Sequence, residues 1–328
     1  MLSCVFYNIA SGGARSRQLT SKLVHTGLKS ATGKRPLNPK NDFRSVALSQ
    51  KRSFTVISAS PGSETKTDSS SMPVFVSSIM GRRPYMEDTY AVSCPPIEES
   101  VDSIYAVFDG HAGATCAKYL AAHLIEKVRS HLELYPEDVE NALKLAFTSM
   151  DDEFCDAARR LKMDDGSTAN MAVVRRDRET GTPSAMWVAN TGDSRAVVIR
   201  RSGSTHQLST DHKAIDEKER ITRMGGFVKD VYGMHRVNGI LAVSRAFGNA
   251  TLKPFVMAEP EVHYRKISSH DHYLCLATDG LWDEVNNDDV GYIMSQGGAE
   301  HGVRILTEMA YKRGSYDNIT VLGVSLHE

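Results

Sequence analysis

The stretch Ser103-Ile-Tyr-Ala-Val-Phe-Asp-Gly-His-Ala-Gly, residues 103 to 113, decides how this chain is read. Its apolar run, Ile104 to Phe108, predicts a buried strand. The run stops at Asp109-Gly110-His111, just before a helical pattern begins. An acid, a glycine and an imidazole therefore stand at the carboxyl end of a strand. Glycine carries no side chain, so a ligand can approach the backbone closely there. An isolated Asp-Gly-His is most simply a turn beside a core strand. Here three more acidic clusters recur, each beside a strand-like run: Glu87-Asp88, Asp279 with Asp283, and Asp317-Asn318.

The chain has 328 residues, a net charge of −1 and 41% hydrophobic residues. That suffices for one large domain with a sizeable core, plus a tail. Near-neutral charge argues against nucleic acid as the main partner. No run approaches the roughly 18 to 20 apolar residues that span a bilayer, so no membrane partner is expected. Cysteines stand at 4, 94, 116, 155 and 275, an odd total with no CxxC pair. They read as reduced core thiols, not as a disulfide framework or a zinc site.

Residues 1 to 70 differ from the rest. Arg15, Arg17, Lys22, Lys29, Lys34, Arg35 and Lys40 all precede the first acid, Asp42. Ser and Thr are frequent and aliphatic residues sparse. This is the composition of an organellar transit peptide; a disordered basic tail is the simpler alternative. No basic residue precedes the apolar start, Met1 to Ala10, which disfavours a secretory signal. Ser58 to Pro73 is rich in Ser, Thr and Gly and reads as a linker. The expected organisation is a leader and linker over residues 1–70 and a folded domain over 71–328.

Within that domain strands and helices alternate. Val74 to Ile79, Ala169 to Arg175, Ala185 to Ala189, Arg195 to Arg200, Tyr273 to Ala277 and Ile319 to Leu326 read as strands. Cys116, Leu120, Leu124 and Val128 recur at spacing four, which predicts a helix over 114–132. Pro136 is expected to open a second helix, with Val139, Leu143, Phe147, Met150 and Phe154 on its buried face. Further helices are expected at 287–296 and 299–313. Residues 211–248 carry five glycines and many charges, and read as a partly irregular excursion. Two strand-rich blocks separated by paired helices predict two sheets with helices outside them.

Carboxylates without His or Cys at ligand spacing favour Mg²⁺ or Mn²⁺ over zinc. Two such ions roughly 3.5 to 4 Å apart can share a water and lower its pKa towards neutrality. A phosphate ester is the natural electrophile for the resulting hydroxide, because cations and a guanidinium offset the charge on its oxygens. Arg83, four residues before Glu87, could supply the planar fork that matches phosphate. The acids are far apart in sequence, so only a fold can bring them together.

Seven motifs occur in register: Arg83-Pro-Tyr-Met-Glu-Asp, Phe108-Asp-Gly-His-Ala-Gly, Gly166-Ser-Thr-Ala, Gly192-Asp-Ser-Arg, Leu241-Ala-Val-Ser-Arg-Ala-Phe-Gly, Thr278-Asp-Gly-Leu-Trp-Asp and Gly314-Ser-Tyr-Asp-Asn. From about residue 74 to 328 the chain resembles the metal-dependent serine/threonine protein phosphatases of the 2C type, the PPM family. The resemblance implies an α+β fold, an α-β-β-α four-layer sandwich of two antiparallel sheets flanked by helices. It implies two Mg²⁺ or Mn²⁺ ions and a weaker third, phosphoprotein substrates, and a monomer.

Carried over by motif, Asp109 matches the acid that bridges both ions. Glu87 and the Gly110 carbonyl match ligands of one ion, and Asp279 and Asp317 match ligands of the other. Asp88 matches an acid that holds ion-bound water. Arg83 matches the phosphate-binding arginine and His111 the general acid for the leaving Ser/Thr oxygen. Asp193 and Asp283 match groups for the third ion, and 211–248 matches a flap beside the site. Bland readings exist for three of these: Asp88 capping a turn, His111 as a structural hydrogen bonder, and Asp193 as a turn residue pairing with Arg195. Asn249 stands where the family usually has an acid, and Asn170 where an apolar residue is commoner; both read as matters of flap and packing.

A pseudophosphatase should lack at least one of the metal acids, and none is missing. A signalling scaffold and a two-metal nuclease are the other classes; the basic groove of a nuclease is not evident in the composition. Asp216-Glu-Lys-Glu-Arg-Ile, Gly225-Gly-Phe-Val and the basic N-terminus resemble the mitochondrial matrix subgroup that acts on the branched-chain ketoacid dehydrogenase. A mitochondrial location is therefore expected, with a cytoplasmic one as the alternative.

Overall fold

Asp102–Phe108 is buried along its whole length, as a continuous apolar run requires. It lies near the middle of a six-stranded sheet in a computed structural model that describes residues 6–7, 53–57, 72–95 and 100–327. We label the strands of the two large sheets in chain order. They are β1 (Phe6–Tyr7), β2 (Ser53–Ile57), β3 (Val74–Ile79), β4 (Thr89–Ser93), β5 (Asp102–Phe108) and β6 (Ala169–Arg176). They continue with β7 (Pro183–Thr191), β8 (Arg195–Arg200), β9 (Thr205–Gln207), β10 (Glu261–Lys266), β11 (Asp271–Ala277) and β12 (Ile319–Ser325). One sheet runs β1-β4-β5-β6-β7-β10 and the other β9-β8-β11-β12-β3-β2. Every pairing in both is antiparallel.

Period-two alternation decides what each strand touches. Tyr105, Val107, Ala172 and Val188 of the first sheet share one core with Val198, Leu274, Leu276, Leu322 and Val324 of the second. The opposite face of the second sheet, through Val197, Ile199, Cys275 and Val321, packs on Val290, Met294, Val303 and Leu306 of a long helix. Two helices, α1 (Thr115–Leu134) and α2 (Val139–Leu161), pack together and cover the first sheet. Two short helices and one long one follow later: α3 (Lys218–Arg223), α4 (Asp279–Trp282) and α5 (Asn287–Arg313). The arrangement is the α-β-β-α sandwich expected from the sequence.

Three differences from the sequence reading have physical causes. Pro136 does not open α2; Asp138 does, its carboxylate accepting from the Asn141 N–H at 3.1 Å. The two helices expected over 287–313 are one α5 bent at Gly298, whose φ of 71° and ψ of 174° no helix holds. Residues 1–70, expected to lie outside the domain, contribute two edge strands. β1 pairs with β4 and β2 pairs with β3. Ser-Phe-Thr-Val-Ile has strong β-formers, which a reading weighted towards charge passed over. The rest of that stretch lies outside the described residues, as does most of the expected linker.

The excursion at 211–248 is more regular than its composition suggests. It contains α3 and a hairpin, Val228–Val231 with Met234–Val237. Together with the residues that follow it has its own small core of Ala214, Ile221, Val237, Val243, Ala246, Leu252 and Val256.

Candidate metal centre

The acids singled out from the sequence, Asp283 apart, sit beside strand ends. Asp109 follows β5, Asp193 lies between β7 and β8, Asp279 follows β11, and Asp317 precedes β12. Glu87 and Asp88 precede β4. Backbone packing locks these ends together. A Cβ on Gly110 would collide with the Glu87 carbonyl, and one on Gly280 with the Asn318 carbonyl. The close approach that Gly110 permits is thus an approach of the Glu87 backbone. The Asp109 N–H donates to Thr168 Oγ1 at 3.1 Å, and the Thr168 N–H to the Asp109 carbonyl at 2.9 Å.

The side chains share one electrostatic site. Burial pushes the Asp109 carboxyl well above the usual range, and Asp279, Asp88, Asp193 and Asp317 push it further. Burial raises Asp279 to about 6, with Asp283 and Asp317 adding to it. Asp88 reaches about 8, chiefly through burial; hydrogen bonds from Thr320 and Thr278 offset only part of that. Asp193 is raised well above the ordinary range by burial and then by Asp279. Asp283 caps the C-terminus of α4, one turn beyond Asp279, and is raised by burial, against the pull of Lys213. Glu87 is raised by burial despite a hydrogen bond from the Gly113 backbone; its main charged neighbours are Arg83, Asp317 and Asp165.

Arg83 meets this cluster from outside. Its guanidinium is 52% exposed and pairs with Asp317 at 2.6 Å, with Asp109 and Asp279 also in range. His111 Nε2 lies 2.7 Å from Asn249 Oδ1, and burial lowers the His111 pKa. Asp193 does not pair with Arg195, which forks onto Asp211 at 3.1 and 2.6 Å instead. That removes the turn-pairing reading of Asp193.

The donor set fits hard cations. Every ligand that converges here is an oxygen donor, and burial, followed by the charge of neighbouring acids, raises these carboxyls together. The four cysteines among the described residues are free and belong to no ligand set. The acids are neighbours without a closed shell: among the described residues no three Asp, Glu, His or Cys side chains surround one point at ligand distance.

Several supporting residues escaped the sequence reading. Asn318 accepts from the Glu87 N–H at 2.7 Å and donates to the carbonyls of Met80 and Tyr85 at 2.8 and 2.9 Å. It thereby ties the whole Arg83–Glu87 loop to the start of β12. Thr278 Oγ1 donates to Asp88 at 2.8 Å. Asn170 donates to Asn190 at 2.8 Å, and Asn190 in turn holds the Gly192 carbonyl at 2.9 Å, bracing the turn that carries Asp193. Asn318 and Asn170 were in view as motif neighbours; nothing in their spacing announced these contacts.

Two facing antiparallel sheets with acids gathered at their loop ends define the class of protein. A family model, Protein phosphatase 2C, matches residues 73–319. The chain belongs to this family of metal-dependent serine/threonine protein phosphatases. It is 42% identical over 251 residues to probable protein phosphatase 2C 52 of Oryza sativa subsp. japonica, covering 76% of this chain and 49% of that one. It is 42% identical to probable protein phosphatase 2C member 13, mitochondrial, of the same organism, covering 76% of this chain and 67% of that one. The chain thus spans about half the length of the first of these relatives. Among solved structures, a C. elegans sex determining protein superposes with a TM-score of 0.70 at 28% identity, covering 78% of this chain and 65% of that one. A serine-threonine phosphatase 2C from Toxoplasma gondii, at 22% identity, shares the fold with a TM-score of 0.68, over 77% of this chain and 94% of that one. No helix among the described residues is long and apolar enough to cross a membrane.

Proposed function

We propose that this chain hydrolyses phosphoserine and phosphothreonine in phosphoproteins at two Mg²⁺ or Mn²⁺ ions. The observation that carries the reading is the gathering of buried carboxyls at one end of the two sheets: Asp109, Asp279, Asp88 and Asp193 are all raised, first by burial and then by the charge of neighbouring acids. Asp109 would serve both ions, Glu87 and the Gly110 carbonyl one, and Asp279 and Asp317 the other. Asp193 and Asp283 would hold a weaker third. The ions, when bound, supply Lewis-acid activation of water and charge for the phosphate oxygens.

The residues of the chain do the rest. Asp88, held by Thr278, orients water beside Asp279. Arg83 is exposed and already pairs with one oxyanion, Asp317; it exchanges that partner for the phosphate. His111 delivers a proton to the leaving Ser or Thr oxygen. The test is hydrolysis of p-nitrophenyl phosphate. Turnover should require Mn²⁺ or Mg²⁺, vanish in EDTA and return with added Mn²⁺. Full turnover in chelator contradicts the reading.

The basic stretch over about residues 1–60 is proposed as a mitochondrial matrix leader, supported by its composition and by the mitochondrial name of one relative. Cleavage at its end would remove β1 and β2 and leave β4 and β3 as sheet edges. Imaging of the full chain decides it: a cytosolic, unprocessed protein contradicts the proposal. The domain itself is proposed to act as a monomer.

A further inference from the structure

His111 is gripped on one side only. Its Nε2 lies 2.7 Å from Asn249 Oδ1. No hydrogen bond of Nδ1 to another described residue is present. The amide of Asn249 is oriented by its other end, because Nδ2 donates to the Asp164 carbonyl at 3.1 Å. A carbonyl only accepts, so the atom facing Asp164 must be the NH₂ group, and the atom facing His111 must be the oxygen. An amide oxygen also only accepts. Nε2 therefore has to be the donor, and it carries a proton in the neutral ring.

Asn249 is itself held firmly. It is 4% exposed, and its N–H donates to the Asp165 carbonyl at 3.3 Å. Its φ of 48° lies in the left-handed region that asparagine tolerates better than most side chains. Thr251 adds a second strap: its N–H and Oγ1 both donate to the Asp164 carboxylate, at 3.1 and 2.6 Å. The histidine and the amide rest on bare Gly166, where a Cβ would collide with both.

We infer that Asn249 is a positioning residue that fixes His111 in the Nε2–H tautomer and reserves Nδ1 as the atom that exchanges a proton with the substrate. The inference rests on the reading of His111 as general acid. The bookkeeping closes on one atom. The acid form is the imidazolium, protonated on both nitrogens; as the P–O bond breaks Nδ1–H passes its proton to the leaving alkoxide, which leaves as the alcohol, and the ring is left as the neutral Nε2–H tautomer until Nδ1 takes up a proton from solvent. Nε2–H stays bonded to Asn249 throughout. An acid at position 249 would also accept from Nε2, but it would set an unpaired oxygen against the Asp164 carbonyl. The asparagine supplies the acceptor and satisfies that carbonyl at once.

The experiment combines ¹⁵N NMR of the His111 ring, in the unaltered full chain above pH 8, with kinetics on two substrates. The ring should show a protonated Nε2 and a bare Nδ1. Asn249→Ala should mix the tautomers. It should slow a phosphoserine peptide, whose leaving group needs the proton, by about 10- to 100-fold, and p-nitrophenyl phosphate by less than about threefold. Asn249→Asp, which keeps an acceptor, should retain most of the activity on both. Gly166→Ala should reproduce the split by wedging the pair apart. A protonated Nδ1 in the unaltered protein overturns the inference, whatever the variants do. So does equal slowing of both substrates by Asn249→Ala. His111→Ala run in parallel separates the two levels: if it slows both substrates equally, the general-acid reading fails first.

Discussion

Asp109 and Glu217 are both carboxylates drawn out of water, and their surroundings treat them oppositely. Asp109 is among other acids, and burial plus their charge raises its pKa well above the ordinary range. Glu217, at the start of the flap, is also pushed up by burial, but hydrogen bonds from Arg245, Arg220 and Ser244 outweigh this and bring it to about 2. Arg245 reaches it at 2.7 Å and Arg220 at 2.9 Å. The flap acid is satisfied by the chain itself. The sandwich-end acids are only partly so, through Thr278 on Asp88 and Arg83 on Asp317, and a cluster of acids that the protein does not fully compensate is where cations belong. One region is built for stability and the other for a ligand, from the same kind of residue.

Substitution separates the two most strongly. Asp109→Asn replaces a carboxylate with one neutral acceptor and one donor. Turnover of p-nitrophenyl phosphate should fall by roughly 10³-fold or more, with circular dichroism unchanged, and added Mn²⁺ should restore little. Glu87→Gln should be milder and should recover at high Mn²⁺, because it is proposed to touch one ion only. Equal recovery of both variants would remove Asp109 from the bridging position. Glu217→Ala should do the reverse. It strands Arg245 and Arg220 and should cost about 2 to 3 kcal/mol of flap stability, read as faster hydrogen exchange over 213–257. Its effect on p-nitrophenyl phosphate turnover should be much smaller than that of Asp109→Asn. An Asp109-sized loss of turnover would show that the clasp belongs to the site.

The contrast also explains what could be read from the sequence. Ile104–Phe108 and Val74–Ile79 announced themselves because strands buried in a two-sheet core are apolar almost throughout. β10 did not: Glu-Val-His-Tyr-Arg-Lys is an edge strand with no fully buried side chain, and its alternation rests on Val262 and Tyr264 alone, too short a signal among charged residues. The acids could be named because their motifs stand in register. The residues that hold them act through single hydrogen bonds across the whole chain, as Thr278 does for Asp88 and Asn318 for Glu87. Such contacts leave no periodicity. Asn249 was visible as a departure from the family pattern, but only the fold places its oxygen on His111.

The most direct test of the contrast is the melting temperature of the metal-free chain between pH 7 and 8, with and without Mn²⁺. A carboxyl raised in the folded state favours folding while it is protonated, and that stability is lost as pH rises through its folded pKa. For Asp88 that point is about 8; Asp109 and Asp193 also titrate well above the ordinary carboxylate range. The lowered histidines, His111 and His212 among them, act with the opposite sign, but below about pH 6.5, outside this window. Glu217 acts lower still. In chelator the melting temperature should therefore fall from pH 7 to 8. Mn²⁺ should raise it, and by more at pH 8, because the ligands it needs are then already ionised. A melting temperature that rises with pH in chelator, or one that Mn²⁺ leaves unmoved, would contradict the claim that these acids are held together for a cation.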